Sequence, residues 1–210
     1  MKRETTVRWD VVLGLAARLD VRPPLAPDAS ERLDRYLAEL LRWRRVVNLV
    51  GPADPQRIAD ELIADALPLA SVVANGDRLL DVGSGAGLPG LIVGLLRPAS
   101  HVELWEPRER RAAFLRAAAQ STAATNVKID CRRVGPREAD LSHSIFSARA
   151  VWPPAEWLEV GARLSRPGAR IVLHADAAPP TPPSLEALAP VDYWLTDPAR
   201  RRRLYVFARR

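Results

Sequence analysis

The sequence predicts an α/β protein, in which a doubly wound, mostly parallel sheet ends in an antiparallel hairpin and follows a helical N-terminal extension. Three observations predict this fold. Short apolar runs alternate with helical segments from residue 78 onward, which is typical of a parallel sheet. A glycine-rich turn follows the first of these runs. Residues 1–75 place apolar side chains at helical spacing. We therefore expect a helical extension over 1–75 and an α/β domain over 76–210.

The extension contains three predicted helices. The first lies near residues 6–19 and ends before Pro23 and Pro24, which break the pattern. The second begins at about Ser30, where Asp28 or Ser30 can cap it. The third begins at Pro55, a residue type that is favoured at the first position of a helix.

The apolar runs of the second region predict the strands. The predicted parallel strands are RLLDV, HVELWE, NVKIDCRRV, SIFSARAV and ARIVLHA. The segment AAPPTPPS is too rich in proline for regular structure and is predicted to be a loop. The last two runs, VDYWLT and RRLYVFAR, with a turn around Asp197 and Pro198, are predicted to form the closing hairpin.

The segment DVGSGAGLPG, residues 81–90, lies between a strand and a helical run, where nucleotide-binding turns occur. Glycines let the backbone approach a ligand, and the start of the following helix offers N–H groups. Gly85 to Gly90 satisfies the dinucleotide pattern G-x-G-x-x-G. Gly83, Gly85 and Gly87 after Asp81 resemble the first motif of class I S-adenosylmethionine-dependent methyltransferases. A purely structural turn is the third interpretation.

One acid favours S-adenosylmethionine over a dinucleotide, and a second acid supports a cofactor of either class. A carboxylate at Asp81 would repel a pyrophosphate, whereas it suits a cofactor that carries an ammonium and a sulfonium. Glu106 ends the second strand, where both cofactor classes require an acid for the ribose hydroxyls. We therefore expect S-adenosylmethionine, with the dinucleotide as the alternative.

Four segments resemble the bacterial small-subunit ribosomal RNA guanine-N7 methyltransferase family, also called glucose-inhibited division protein B. They are WRRVVNLV, DVGSGAGLPG, EPRERRAAFLR and ARA (148–150), and the similarity covers roughly residues 30–175. This resemblance implies a Rossmann-like class I methyltransferase fold. It also implies an enzyme that methylates N7 of a guanine in 16S ribosomal RNA, with ribosomal RNA or the small ribosomal subunit as partner.

The motif and the resemblance together imply roles for individual residues. The expected cofactor contacts are Asp81, Gly83, Ser84, Gly85, Gly87, Leu88, Glu106, Val134, Gly135 and Arg149. By the resemblance, Val134 and Gly135 lie at the adenine. Arg149 and Asn48 are the expected catalytic residues, although Arg149 could instead form only a surface salt bridge.

The arginines predict contacts with RNA. The formal net charge is +6, which fits either a nucleic-acid partner or an arginine-rich genome. Arg44 and Arg45 lie beside Trp43, and Arg110 and Arg111 form a second cluster; all four arginines are expected to bind RNA. Trp43 either stacks on a base or packs between helices.

Two later features also leave alternatives open. Trp152 is either a stacking surface for a base or part of a packed loop. The C-terminal run ARRRRLYVFARR either contacts the RNA backbone or forms a solvated hairpin.

The chain departs from the family pattern at four places. DELIAD replaces a stretch with an Arg-His pair, Val50 replaces a threonine, Gly135 replaces a glutamate, and no lysine follows the fifth strand. Each change removes a polar or cationic group. The alternatives are therefore a divergent paralogue that binds cofactor or RNA with weak or no turnover, and a small-molecule methyltransferase.

The remaining expectations concern metals, membranes and assembly. The three histidines share no ligand spacing and Cys131 is the only cysteine, so we expect no metal site and no internal disulfide. The sequence contains no uncharged apolar stretch long enough to span a membrane. We expect a cytoplasmic monomer.

Overall fold

The computed structural model describes residues 7–19, 25–195 and 201–210, and its centre is an eight-stranded mixed sheet. The strands are β1 (Arg78–Val82), β2 (His101–Trp105), β3 (Val127–Asp130), β4 (Ile145–Ala148), β5 (Arg170–His174), β6 (Leu185–Ala187), β7 (Val191–Trp194) and β8 (Arg201–Arg209). Their order is β3-β2-β1-β4-β5-β8-β6, with β7 also paired to β8.

The first five strands are parallel and follow the 3-2-1-4-5 order of doubly wound folds, which confirms the predicted fold class. The strand order reverses around β1, because β2 lies on one side and β4 on the other. Ligand crevices form at such switch points, outside the carboxyl ends of the strands. The predicted glycine turn follows β1 and therefore lies at this crevice.

The antiparallel strands extend the sheet beyond β5. β8 pairs antiparallel to β5 on one edge and to both β6 and β7 on its other edge. The predicted antiparallel pairing of the last two runs is confirmed, while the turn at Asp197 and Pro198 lies outside the described residues. The sequence analysis missed β6, because its three residues directly follow the proline-rich loop and two of them are exposed.

The helices in the described residues are α1 (Trp9–Arg18), α2 (Ala29–Trp43), α3 (Pro55–Ile58), α4 (Leu67–Val72), α5 (Gly90–Leu96), α6 (Glu109–Ser121) and α7 (Pro154–Leu164). The single helix predicted from Pro55 is present as one continuous helical segment, but its type changes along its length. A π-helical turn, Ala59–Ile63, and a 3₁₀ turn, Ala64–Ala66, connect α3 to α4.

The starts of α2 and α3 differ in their capping. Asp54 caps α3, because its carboxylate accepts a hydrogen bond from the Arg57 backbone N–H at 2.9 Å. The capping predicted for α2 is wrong in detail. Asp28 occupies the N-cap position, but its carboxylate accepts from Arg32 Nε at 2.7 Å and makes no cap hydrogen bond.

The two faces of the sheet bury separate cores. Leu79 belongs to a core that the sheet shares with α1, α2, α4, α5 and α6, whereas Leu80 belongs to a core covered by α7. Adjacent residues of a strand point to opposite faces, which separates the two cores. Because Val12 and Leu33 lie in the same core as Phe114, the N-terminal helices pack directly against the α/β part. The division at residue 75 stays a prediction.

No helix within the described ranges is both long enough and apolar enough to cross a membrane.

Two glycine-to-alanine variants test the packing between α5 and the sheet. A Cβ on Gly94 would lie 2.5 Å from Val127 Cγ2, whereas a Cβ on Gly14 in α1 meets nothing within 4 Å. We expect Gly94→Ala to lower the free energy of unfolding by about 1–3 kcal/mol through overpacking. Gly14→Ala should raise it by about 0.5–1 kcal/mol through helix propensity. Urea unfolding measures both, and equal stabilities of the two variants would contradict the close packing.

Candidate functional site

A crevice of about 480 Å³, here called the loop crevice, opens at the carboxyl ends of β1, β2 and β4. It lies at the switch point of the sheet, where doubly wound folds bind their ligands. Six of the predicted cofactor contacts line it: Gly83, Ser84, Gly85, Leu88, Glu106 and Arg149. The segment after α2, residues 49–52, forms part of its wall.

The backbone of the glycine turn adopts a conformation that residues with a side chain rarely adopt. Gly83, Gly85 and Gly87 have φ angles of +73°, +56° and +80°. A Cβ on Gly83 would lie 2.3 Å from Val151 Cγ2, so glycine is also required there for the close approach of the segment after β4. Gly87 is buried inside the turn, where its N–H donates to the Ser84 carbonyl at 2.6 Å. It shapes the turn and does not line the crevice.

The carboxylate of Glu106 is held by the turn itself. Its Oε2 accepts from the Gly85 N–H and its Oε1 accepts from the Arg108 N–H, both at 2.9 Å. Each oxygen thus uses one of its lone pairs and keeps acceptor capacity on the other. Two such oxygens at a crevice can accept from two hydroxyls, and the predicted contact with a ribose stays a prediction.

Asp81 lies beneath the turn, where it is 1% exposed. Its Oδ1 accepts from the Ser147 hydroxyl at 2.8 Å, and its Oδ2 accepts from the Gly90 N–H at 3.2 Å. Burial raises the pKa of this carboxyl to about 6, although the hydrogen bonds act against the rise. Asp81 therefore ties β1 to β4 and to the start of α5.

Asp81 is not among the residues that line the crevice, and its expected contact with the cofactor stays a prediction. The N–H of Gly90, the first residue of α5, is occupied by that carboxylate and is not offered to a ligand.

Arg149 directly follows β4 and lines the loop crevice. Its Nη1 lies 3.2 Å from Oδ2 of Asp65, a carboxylate that is only 2% exposed. Tyr193 donates to the same carboxylate at 2.5 Å, and Arg202 Nη1 lies 3.3 Å from it. Arg149 is therefore both a crevice residue and half of an ion pair, and the pair is largely buried.

The sequence analysis missed Asp65, Tyr193 and Arg202 as site residues. One signal was present, because Asp65 is an isolated acid in the apolar helical run LIADALPLA. A charged residue on a face that must be buried requires a partner, and such a residue is a site candidate.

A second cavity of about 350 Å³, here called the side cavity, lies on the far side of Arg149. It shares Arg149, Ala150 and Val151 with the loop crevice. Its other walls include Asp65, Trp152, Trp157, His174, Tyr193 and Arg202. Burial lowers the pKa of His174, whose Nε2 lies 3.1 Å from the Asp65 carbonyl oxygen, so its imidazole is neutral at pH 7.

A groove of about 360 Å³, here called the basic groove, adjoins the other end of the loop crevice. It brings together three of the predicted residues, Asn48, Arg110 and Arg111, and Arg111 also lines the loop crevice. Arg111 Nη2 donates to the Asn48 carbonyl at 3.1 Å. The exposed Asn48 does not line the loop crevice, although Leu49 and Val50 do, so its catalytic role stays a prediction.

The remaining predicted residues lie apart from these cavities. Arg44 and Arg45 lie in the turn after α2 and line none of the three. Val134 packs against the core under α7, and the Gly135 N–H donates to the Glu138 carboxylate. The structure does not bring Val134 or Gly135 to the loop crevice, and their place at the adenine stays a prediction.

Trp43 follows the packing alternative. Its Nε1 donates to Glu39 Oε1 at 2.6 Å, and its ring meets Phe114 edge-on with centroids 6.1 Å apart.

Among residues 7–19, 25–195 and 201–210, no group of three or more His, Cys, Asp or Glu side chains is placed to hold a metal ion.

Comparison with known proteins gives a consistent result. Residues 29–177 match the model of the GidB family, described as rRNA small subunit methyltransferase G. A ribosomal RNA small subunit methyltransferase G of Methylorubrum extorquens is 42% identical over 62% of this chain and 64% of its own length. The Methylorubrum populi protein of that name is 38% identical over 69% of this chain and 70% of its own.

A solved structure shares the fold. It is that of Pyrococcus horikoshii TYW2 in complex with MeSAdo, with a TM-score of 0.54 and 12% identity over 70% of this chain and 62% of that chain. Among the sequence relatives, the match to the M. extorquens protein covers just under two thirds of that protein's length.

The raised pKa of Asp81 leads to a specific pH dependence of the unfolding free energy. Its pKa is about 6 in the folded protein against 3.8 for the ordinary group, so the folded state binds the proton more tightly. The resulting stabilisation is fully present below about pH 4 and is lost as pH rises through about 6. Asp81→Asn does not titrate. The unfolding free energy of the wild type, relative to this variant, should therefore fall by about 3 kcal/mol between about pH 4 and pH 7. Urea titrations at several pH values measure this, and a constant difference would contradict the buried carboxyl.

Proposed function

The chain belongs to the GidB family of rRNA small subunit methyltransferase G, and on that premise we propose that it methylates N7 of a guanine in 16S ribosomal RNA with S-adenosylmethionine as methyl donor. One observation carries the proposal. The loop crevice presents Glu106 with spare acceptor positions at one end of the glycine turn and Arg149 at the other. The dinucleotide alternative has no support from the family.

The residues of the loop crevice fit the cofactor. Glu106 would accept from the ribose hydroxyls, and the turn from Gly83 to Gly85 would let the cofactor approach the backbone. Arg149 would hold the carboxylate of the cofactor, to which its guanidinium can donate a charge-assisted hydrogen bond. When bound, S-adenosylmethionine supplies an electrophilic methyl carbon on its sulfonium.

The chain itself has to position the reactants. Guanine N7 is a lone-pair nucleophile without a proton, so its methylation requires no general base. Among the described residues that line the loop crevice, none is a histidine. Rate enhancement then comes from orientation of the reactants, to which Arg149 contributes from its ion pair with Asp65. Arginine also pairs with guanine O6.

The surface around the crevice suits an RNA backbone. The basic groove presents Arg108, Arg110 and Arg111 next to the crevice, and arginines bind phosphates in a bidentate manner. A small-molecule methyltransferase would instead enclose its substrate in an apolar pocket. Arg202 and Arg203 line the side cavity beside the end of β5, so cations are present close to the position of the missing family lysine.

The proposal includes the setting of the reaction. We place it in the cytoplasm, where ribosomal RNA is assembled into particles, and we propose that the protein acts as a monomer. The described helices before residue 76 pack on one face of the sheet, and residues 49–52 form part of the wall of the loop crevice.

Glu106→Gln tests the cofactor site. The variant removes the charge that strengthens the hydrogen bonds to the ribose, so we expect the affinity for S-adenosylmethionine to fall by about 10- to 100-fold. Isothermal titration calorimetry measures the dissociation constant. Glu31→Gln on the exposed side of α2 is the matched control and should bind as the wild type does. Equal affinities of the Glu106 variant and the control would argue against Glu106 as the ribose ligand.

Methyl incorporation tests the activity. Labelled S-adenosylmethionine is supplied with small ribosomal subunits that lack their own guanine-N7 methyl groups. We expect incorporation at one guanine, reduced by about 10²- to 10³-fold in Arg149→Ala, because a guanidinium that orients the reactants is lost. Arg35→Ala is the control for the loss of one positive charge, because Arg35 is exposed and pairs with Glu31. No incorporation by a wild type that still binds the cofactor would favour the divergent paralogue.

A further inference from the structure

The side cavity holds features that the cofactor does not use. It adjoins the loop crevice through Arg149, Ala150 and Val151, so a group in it lies next to a ligand in the crevice. Its volume of about 350 Å³ is within the range of small-molecule sites. The basic groove, on the other side, is lined by Arg108 and Arg110 and suits a backbone, because it has no aromatic side chain among its described lining residues.

The aromatic wall of the side cavity is rigid. Trp152 is half-buried and stacks on Trp157, with ring centroids 5.6 Å apart and planes at 14°. Trp157 is 1% exposed, and its Nε1 donates to the Val172 carbonyl at 2.8 Å, so it is fixed in the core. A half-exposed indole supported in this way loses little entropy when a flat ring stacks on it.

The polar wall is formally positive, because three arginines, Arg149, Arg202 and Arg203, line it together with two carboxylates, Asp65 and Asp176. The carboxylate of Asp65 is shared by the guanidinium groups of Arg149 and Arg202. Tyr193 uses a further acceptor position on that carboxylate. The guanidinium groups of Arg149 and Arg202 together have more N–H donors than Asp65 accepts, so donors remain for a carbonyl oxygen of a ligand. Neutral His174 adds no charge.

We infer that the side cavity is the pocket for the target nucleotide, everted from the RNA, with Trp152 as its stacking surface and Arg149 and Arg202 as its hydrogen-bond donors. A guanine fits this combination of an indole face and guanidinium groups, because its O6 can accept a hydrogen bond while N7 keeps its lone pair for the methyl carbon. Enzymes that modify a base bind it outside the helical stack, in a pocket beside the reactive group. This inference rests on the proposed function, because it places that reaction's substrate.

Trp152 provides the kinetic test on small ribosomal subunits that lack the methyl group. We expect Trp152→Ala to lower kcat/KM for the particle by about 5- to 150-fold, the range that the loss of one base–aromatic stack produces. The calorimetric dissociation constant of S-adenosylmethionine should change less than about twofold, since Trp152 does not line the loop crevice. Trp152→Phe keeps an aromatic face and should recover most of the loss. Trp194→Ala, which removes a 51% exposed tryptophan on β7, is the matched control and should act as the wild type.

A second measurement separates the failure of this inference from the failure of the proposed function. Saturation-transfer NMR detects guanosine 5′-monophosphate bound to the protein while S-adenosylhomocysteine occupies the loop crevice. We expect saturation of the base proton H8 in the wild type and in Trp194→Ala, and its loss in Trp152→Ala. If the wild type is inactive on particles but gives this pattern, the proposed substrate is wrong and the nucleotide pocket stands. If Trp152→Ala equals the wild type in both assays, or if no saturation is seen, the inference is overturned.

Discussion

The buried carboxylate of Asp81 is the interaction on which the geometry of the site depends. It accepts one hydrogen bond from Ser147 on β4 and one from Gly90 at the start of α5. These contacts hold β1 together with the strand that ends just before Arg149 and with the helix that follows the glycine turn. The cost is the burial of a titratable group, visible in its raised pKa. Gly90 has to be glycine for this contact, because a Cβ would lie 2.6 Å from the carboxylate.

A second buried acid, Asp65, holds side chains in place between the loop crevice and the side cavity. Asp65 lies in the 3₁₀ turn that follows a π-helical turn, an irregular winding that is common at functional sites. The winding breaks the regular repeat of an amphipathic helix and leaves Asp65 inside the protein, where Arg149, Arg202 and Tyr193 surround it. A buried carboxylate with several donors fixes each donor in one place, which a solvated ion pair does not. Arg149 is thereby held where both cavities meet.

Some arginines of the chain are paired with acids, whereas others line the basic groove. In the C-terminal run, Arg201 and Arg203 both pair with Asp192, whose pKa they lower to about 2. The third arginine of the run, Arg202, reaches Asp65 in the side cavity. Arg201, Arg202 and Arg203 are thus each paired with an acid on β7 or in the core. The proposed contacts with RNA are therefore assigned to the basic groove, where Arg108, Arg110 and Arg111 lie together.

Local patterns were enough to predict the fold class, the parallel strands, the glycine turn and the acid Glu106 at the end of β2. Apolar runs indicate strands, and G-x-G-x-G after a strand indicates a turn at its end. Three contacts could be read only from the folded chain: Asp81 lies under the turn, Trp43 packs on Phe114, and Asp65 meets Tyr193 across 128 positions of the chain. Such contacts depend on the strand order and on helix packing, which bring distant segments together and which no local pattern encodes.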